Sequence, residues 1–188
     1  IHVTLSDGTG GTSSVQTVTV NVSAVNDAPV VSLPASIAAN EDVATALTGI
    51  SFADVDAGSA SVTVTLSVPS GTLAAISGGG VTVGGSATAI TLTGSIANIN
   101  TFIAGSKVTF TTAANSTSDV TLTVGINDGG NSGGGALTDS GTVTIDVAAV
   151  NDAPTVLAPA SIAVTEDVAK ALTGISFADV DAGAANVT

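Results

Sequence analysis

The chain has 188 residues, of which 15 are acidic and only Lys107 and Lys170 are basic, so its formal net charge is −13. This balance argues against binding to nucleic acid or to an anionic membrane, and it favours solubility or a need for cations. The absence of cysteine excludes a disulfide framework and thiolate metal sites. No apolar run approaches the roughly 18 residues of a membrane-spanning helix, so we expect no membrane insertion.

Most of the chain has the composition of β-structure. Val, Ile, Thr and Ala dominate and there are 22 glycines, a mixture that favours strands joined by turns. Apolar and small polar residues alternate at 17–22, 61–66 and 120–124, which predicts half-buried antiparallel strands. Further strand candidates are 45–50, 72–76, 88–93, 107–112 and 141–149. The expected fold class is an all-β antiparallel sandwich.

One segment has helical spacing. Between Ser95 and Gly105 the apolar residues fall at 96, 99, 102 and 103, with Ser95 in the N-cap position and Gly105 in the C-cap position. This predicts one short helix that closes an end of the sandwich; an outward-bulging strand pair is the alternative. The bulkiest apolar side chains should form the core, and they are Phe52, Ile96, Ile99, Phe102 and Phe110.

The sequence repeats internally with an offset of 125 residues. Asn26-Asp27-Ala28-Pro29 returns as Asn151-Asp152-Ala153-Pro154, and 30 of the 38 residues at 26–63 are identical at 151–188. Self-similarity at a fixed period indicates a repeat array. We therefore expect residues 1–25 to be the end of one repeat, 26–150 a complete repeat, and 151–188 the start of a third.

The ends of the repeats also correspond. Ile126-Asn127-Asp128-Gly129 matches Leu5-Ser6-Asp7-Gly8, but the distance to the following Asn-Asp-Ala-Pro is longer in the second copy. The separation is 20 residues from Asp7 to Asp27 and 24 from Asp128 to Asp152. The second copy thus contains a four-residue insertion, most simply within 131–135.

Twelve of the acids group around the repeat boundaries. The first set contains Asp7, Asp27, Glu41, Asp42, Asp54 and Asp56, and the second contains Asp128, Asp152, Glu166, Asp167, Asp179 and Asp181. Six carboxylates brought together without Lys or Arg would repel one another, and calcium would resolve this because it binds carboxylate and carbonyl oxygens. We expect calcium at each junction, with Asn26 and Asn151 supplying carbonyl oxygens or orienting the turn. The alternative is that these acids only cap turns and remain solvated.

No motif predicts an enzyme. Asp54-x-Asp56-x-Gly58 begins like an EF-hand loop, but its twelfth position is Thr65 and not Glu. The glycine-rich stretches lack the Lys-Ser/Thr of a phosphate-binding loop, and His2 is the only histidine. Asp54 and Asp56 are far better placed as ligands in a turn than as an acid/base pair.

These motifs together resemble the bacterial cadherin-like repeats of very large secreted surface proteins and adhesins. The matching elements are Val25 to Pro29, Glu41-Asp42, Asp54-x-Asp56-x-Gly58, the Ser95–Gly105 segment and Ile126 to Gly129. The resemblance implies an immunoglobulin-like sandwich, calcium at the junctions, export to the cell surface, and a role as a stalk or adhesin.

The expected function is therefore a calcium-rigidified extracellular repeat whose expected partners are its neighbouring repeats, with other copies of the same protein as further candidates. An alternative is a filament subunit in which a strand of one chain completes the sheet of another. A carbohydrate-binding module is less favoured, because there is no Trp or Tyr to stack on a sugar ring.

Overall fold

The computed structural model describes residues 1–183. Residues 1–25 contain only two short strands, β1 (His2–Val3) and β2 (Gln16–Thr17). Residues 151–183 contain β14 (Thr155–Leu157) and β15 (Ser176–Ala178). The other elements lie in residues 26–150, hereafter the central segment: β3 (Val30–Ser32), β4 (Ser36–Asn40), β5 (Thr45–Ala46), β6 (Ser51–Ala53), β7 (Val62–Ser67), β8 (Thr72–Ala75), β9 (Thr82–Ser86), β10 (Ala89–Gly94), α1 (Ile96–Ala104), β11 (Val108–Thr111), β12 (Val120–Asn127) and β13 (Thr138–Ala148).

The central segment is built from several sheets around one core. A six-stranded sheet has the order β4-β13-β12-β7-β10-β9, and its neighbours are antiparallel except for β4 and β13, which are parallel. A second layer consists of the sheet β5-β11-β8 and the pair β3-β6. A single apolar cluster includes buried side chains from both layers. This mostly β arrangement with one short helix is consistent with a β-sandwich.

The alternating pattern of the sequence explains the two central strands. In β7, Val62, Val64 and Leu66 are buried while the residues between them are exposed. The same alternation holds along β12, whose buried residues are Val120, Leu122, Val124 and Ile126. The predicted strands at 61–66 and 120–124 are thus confirmed, as are those at 72–76, 88–93, 107–112 and 141–149.

The predicted helix is confirmed together with its caps. The Ser95 hydroxyl accepts a hydrogen bond from the Asn98 N–H at 3.3 Å, and the Gly105 N–H donates to the Thr101 carbonyl at 2.9 Å. The left-handed residue at this end is Ser106, with φ +57°, rather than Gly105. Within residues 1–183 no helix is long and apolar enough to cross a membrane.

The predicted core is largely correct. Four of its five members are buried, and they are Phe52, Ile99, Phe102 and Phe110. Ile96, in the first turn of α1, is only partly buried and packs against the edge of the apolar cluster.

Two strand predictions are wrong in extent. Of residues 17–22, only Thr17 lies in a strand, and Val18, Val20 and Val22 are exposed. Alternation needs a partner strand to take effect, and in residues 1–25 only His2–Val3 pairs with β2. Residues 45–50 form a strand only at Thr45–Ala46, where β11 lies alongside.

The local structure recurs with the sequence. Strands β3 and β6 pair with Val30 opposite Ala53, and β14 and β15 pair with Thr155 opposite Ala178, each residue being shifted by 125 positions. The backbone φ is +58° at Asp42 and +59° at Asp167, a left-handed conformation that Asp adopts more readily than most residues. This strand pair and this turn therefore recur after each Asn-Asp-Ala-Pro, although β4 and β5 have no counterpart in residues 151–183.

Candidate metal sites at the two ends of the central segment

The acidic residues of the central segment sort into two clusters at opposite ends of β13. At its start, Leu137 donates its N–H to Asp128 at 2.8 Å; at its end, the Ala148 carbonyl accepts from the Glu41 N–H at 3.0 Å. Eleven extended residues place these ends about 35 Å apart. We call the first group the upstream cluster (Asn26, Asp27, Asp54, Asp56 and Asp128) and the second, which residues 151–183 join, the downstream cluster (Glu41, Asp42, Asp152, Asp179 and Asp181).

The upstream cluster is organised by the Asp54-x-Asp56 turn. Asp54 Oδ1 accepts hydrogen bonds from the N–H groups of Asp56 and Ala57, both at 3.0 Å. Asp56 Oδ2 accepts from the Asp27 N–H at 3.1 Å, which attaches the Asn-Asp-Ala-Pro segment to the turn. The remaining oxygens, Asp54 Oδ2 and Asp56 Oδ1, are buried and have no hydrogen-bond partner. A buried, unpaired carboxylate oxygen is costly unless a cation compensates it.

Asn26 and Asp128 close the other side of the upstream cluster. Asn26 Nδ2 donates to Asp128 Oδ2 at 2.6 Å and to the Gly135 carbonyl at 3.0 Å. Asp128 is only 1% exposed, and its Oδ1 accepts from the N–H groups of Gly130 and Leu137. Burial raises the pKa of Asp128, but these hydrogen bonds outweigh it and the net effect is a lowered pKa.

Glu41 is the buried acid of the downstream cluster. It is 2% exposed, and its Oε1 accepts from the Val150 N–H at 3.0 Å. Asp42 beside it donates its N–H to the Thr112 hydroxyl at 2.9 Å, and its carboxylate accepts from the Asn115 N–H at 3.0 and 3.3 Å. Two loops of the central segment are thereby tied to the point where β13 ends.

The following residues repeat the geometry of the upstream turn. Asp179 Oδ1 accepts from the N–H groups of Asp181 and Ala182 at 3.0 and 3.1 Å, and the Asp152 N–H donates to Asp181 Oδ2. Asp152 Oδ2 is buried and has no hydrogen-bond partner. A cleft of about 360 Å³ lies here and is lined by Asn115, Asp152, Ala153, Thr155, Ala178, Asp179 and Val180.

Like charges converge on Asp152. Burial is the largest cause of the raised pKa of Asp152, and the negative charges of Asp181, Asp42, Glu41 and Asp179 raise it further. Two of these neighbours belong to the central segment and two to residues 151–183. The downstream cluster therefore carries unfavourable charge repulsion across the boundary between the two segments, which a bound cation would relieve.

The sequence-based grouping places three of the acids at the wrong end of β13. The sequence predicts that Glu41 and Asp42 lie near Asp27, Asp54 and Asp56, but they lie near Asp152 at the other end of β13. The reason is the path of the chain: β3 and β4 carry it along the sandwich before Glu41, and β5 and β6 return it to Asp54. Asp128, assigned to the second junction, instead contacts Asn26 of the first.

The other predicted ligands lie outside both sets of contacts. Asp7 Oδ1 accepts from the N–H groups of Thr9 and Gly11 in its own turn, and these bonds lower the pKa of Asp7. Glu166 and Asp167 lie in an exposed turn. Asn151 Nδ2 donates to the adjacent Asp152 carbonyl at 3.0 Å. Sequence reasoning missed Asn115, whose left-handed φ of +53° had no glycine or repeat signal to reveal it.

Carboxylate side chains alone do not make a metal site in the described chain. Within residues 1–183 no group of three or more His, Cys, Asp or Glu side chains could hold a metal ion. Calcium also binds main-chain and amide oxygens, so the fit to calcium depends on the buried unpaired oxygens of Asp54, Asp56 and Asp152 together with such groups. Comparison of the sequence with protein-family models and with curated proteins gave no match.

Proposed function

We propose that this chain is part of an extracellular stalk or adhesin of immunoglobulin- and cadherin-like repeats, whose junctions become rigid when they bind calcium. The observation that carries the proposal is the buried Oδ2 of Asp152, which has no hydrogen-bond partner. The negative charges of Asp181, Asp42, Glu41 and Asp179, from both sides of a segment boundary, raise the pKa of this carboxyl further. The recurrence of the same turn geometry 125 residues apart supports a modular array. The mechanism is mechanical and not catalytic.

The ion would act by replacing repulsion with shared coordination. Asp152, whose buried Oδ2 has no hydrogen-bond partner, would supply one carboxylate oxygen. Glu41 and Asp42 of the central segment and Asp179 and Asp181 of the following segment are its acidic neighbours. Main-chain and amide oxygens would complete the coordination, because no group of three or more acidic side chains within residues 1–183 could hold an ion by itself. When bound, calcium supplies positive charge and flexible coordination by six to eight oxygens. Ligands from both sides would fix the relative orientation of the two segments, because bending would break some of these bonds.

The upstream cluster would act in the same way with a preceding repeat. Asp54 and Asp56 each have one buried oxygen without a partner, and Asp27 is attached to them. The two clusters are about 35 Å apart, well beyond the screening length of about 8 Å at physiological salt. Each junction would therefore respond to calcium independently, and the length of such a rod would scale with the number of repeats.

The strength of the effect follows from mass action. Extracellular calcium modules bind with dissociation constants of about 10⁻⁴–10⁻³ M. At a calcium concentration about 100 times the dissociation constant, each site would add roughly 2.7 kcal/mol to the stability of the bound state. That is enough to change a flexible junction into a predominantly ordered one.

Calorimetric titration of the 188-residue chain tests the proposal directly. We expect calcium binding at millimolar or lower concentration, and much weaker binding of magnesium, which demands stricter octahedral geometry. Small-angle scattering should show a stiffer particle in calcium than in chelator. If calcium releases no heat at millimolar concentration and the scattering is the same in both conditions, the acids are turn residues and the proposal fails.

A further inference from the structure

The loop between β12 and β13 (residues 128–137), hereafter the clamp loop, lies against the chain that leads into the central segment. A side-chain carbon placed on Gly133 would collide with the carbonyl group of Ala24 and would lie 2.8 Å from the Val25 nitrogen. One placed on Gly134 would lie 3.1 Å from Asn26 Cβ. Residues 24–26 therefore pass so close to the loop that only glycine fits at position 133.

Hydrogen bonds hold residues 24–26 against the clamp loop. Asn26 Nδ2 donates both to buried Asp128 and to the Gly135 carbonyl, at the two ends of the clamp loop. Asn131 Nδ2 donates to the Ser61 carbonyl at 3.0 Å and to the Asp128 carbonyl, which anchors the middle of the loop to the sandwich. Hydrogen bonds to a charged acceptor such as Asp128 are stronger than those between neutral groups.

We propose that the clamp loop is a metal-independent clasp that fixes the direction in which the preceding chain enters the central segment. Every contact in it joins main-chain groups, amides and one carboxylate whose oxygens already have partners. The clasp needs no cation and does not rest on the proposed calcium function. It adds an ion-independent attachment at the upstream end, beside the unpaired oxygens of Asp54 and Asp56.

The clasp depends on the length of the loop. Apart from Asp128, the residues that touch 24–26 are Gly133, Gly134 and Gly135. They lie in the stretch 131–135, where this copy most simply contains the four-residue insertion. The corresponding loop after Asp7 is shorter, and Asp7 accepts only from Thr9 and Gly11 within its own turn. A junction beside a long loop should therefore be clamped, and a junction beside a short loop should not.

The test uses backbone order parameters from NMR relaxation of the 188-residue chain in chelator, so that calcium plays no part. In the wild type we expect residues 24–26 to be as rigid as the sandwich, with values of about 0.85. Deletion of residues 132–135, which gives the loop the shorter length, should lower residues 24–26 to below about 0.6. Asn26→Ala should do the same without shortening the loop.

The matched control is Asn151→Ala. Asn151 occupies the equivalent position, but its side chain donates only to the neighbouring Asp152 carbonyl. This variant should leave the order of residues 24–26 unchanged. If the deletion prevents folding, Asn26→Ala decides the question. Flexible residues 24–26 in the wild type, or unchanged order in Asn26→Ala, would overturn the proposal, whatever the calcium titration shows.

Discussion

The main-chain N–H of Val150 donates to the carboxylate of Glu41, 109 residues earlier in the chain, at 3.0 Å. Glu41 is one of only three buried polar or charged residues in the described chain, and this bond holds its negative charge where the chain leaves the central segment. Asp152 follows two residues later. The Glu41–Val150 contact thus brings the buried charge of one segment next to the acidic turn of the next.

Glu41→Gln should weaken calcium binding at the downstream cluster while leaving the fold intact. The glutamine carbonyl can still accept from the Val150 N–H, but one negative charge is lost, and charge count is a main determinant of calcium affinity. We expect affinity to fall by about tenfold, measured by calorimetry. In chelator the variant should be at least as stable as the wild type, because repulsion with Asp152 is reduced.

The matched control for this change is Glu166→Gln. Glu166 is the repeat equivalent of Glu41 but lies in an exposed turn. Its substitution should leave the calcium affinity unchanged. Equal effects of the two substitutions would argue against a specific role for Glu41.

Phe102→Ala should destabilise the central segment by about 3–5 kcal/mol, because it removes a buried aromatic ring from the face of α1 that packs on the core. The measurement is denaturant unfolding with the slope of the transition compared between variants. Phe177→Ala is the control, since Phe177 is 67% exposed in this chain. Its effect should stay within about 0.5 kcal/mol. A Phe102→Ala variant that unfolds like the wild type would show that α1 is not part of the core.

These results show which features could be read from the sequence. Period-two alternation predicts β7 and β12, and the spacing of Ile96, Ile99, Phe102 and Ile103 predicts α1. These predictions succeed because an element with one buried face has apolar residues at the period of that element. Strand β9 was missed, since Gly84 and Gly85 replace the side chains that would have alternated. Local patterns thus predict elements, but only where both faces carry side chains of different polarity.

The spatial grouping of the acids could not be predicted from the sequence without the order and path of the strands. Repeat comparison shows that Glu41 follows Asp27 by 14 residues in the sequence, yet it does not show that the chain has crossed the sandwich between them. The two short strands β3 and β4 carry the chain across the sandwich. Both are too short for their alternating residues to be recognised in the sequence. The pairing of Asn26 with Asp128 likewise joins residues 102 positions apart, which no local pattern indicates.

Acidification should strengthen the contact around Asp152 in chelator. Burial and the charges of Asp181, Asp42, Glu41 and Asp179 raise the pKa of Asp152 above 3.8. A group whose pKa is raised in the folded state favours folding when it is protonated. This contribution is present below about pH 3.8 and is lost as the pH rises through the folded-state pKa. NMR titration of the Asp152 carboxyl in chelator should give a midpoint above 3.8; a midpoint at or below that value would contradict the assignment of neighbours.

Asp128 should respond to pH with the opposite sign. Its pKa is lowered because Gly130, Leu137 and Asn26 donate hydrogen bonds to the carboxylate. The ionised form therefore stabilises the clamp loop above the unfolded-state pKa of about 3.8, and this stabilisation is lost as the pH falls through the lower, folded-state pKa. The side-chain NH₂ resonances of Asn26 should report the loss. Resonances that shift with a midpoint above 3.8 would contradict the lowered pKa.

Paired charge removal should separate the two ends of the central segment. Asp179→Asn with Asp181→Asn removes two carboxylates from the downstream cluster, and Asp54→Asn with Asp56→Asn removes the equivalent two from the upstream cluster. The clusters are about 35 Å apart, so neither pair of substitutions should alter the electrostatics of the other cluster.

In the wild type, calcium should protect residues 149–155 from a protease of broad specificity, and chelator should remove that protection. The Asp179/Asp181 variant should be cleaved there even in calcium, whereas the Asp54/Asp56 variant should remain protected. Trypsin is unsuitable, because Lys107 and Lys170 are its only target residues and neither lies in 149–155. Equal protection of both variants in calcium would show that the ion does not bind between the central segment and the residues that follow it.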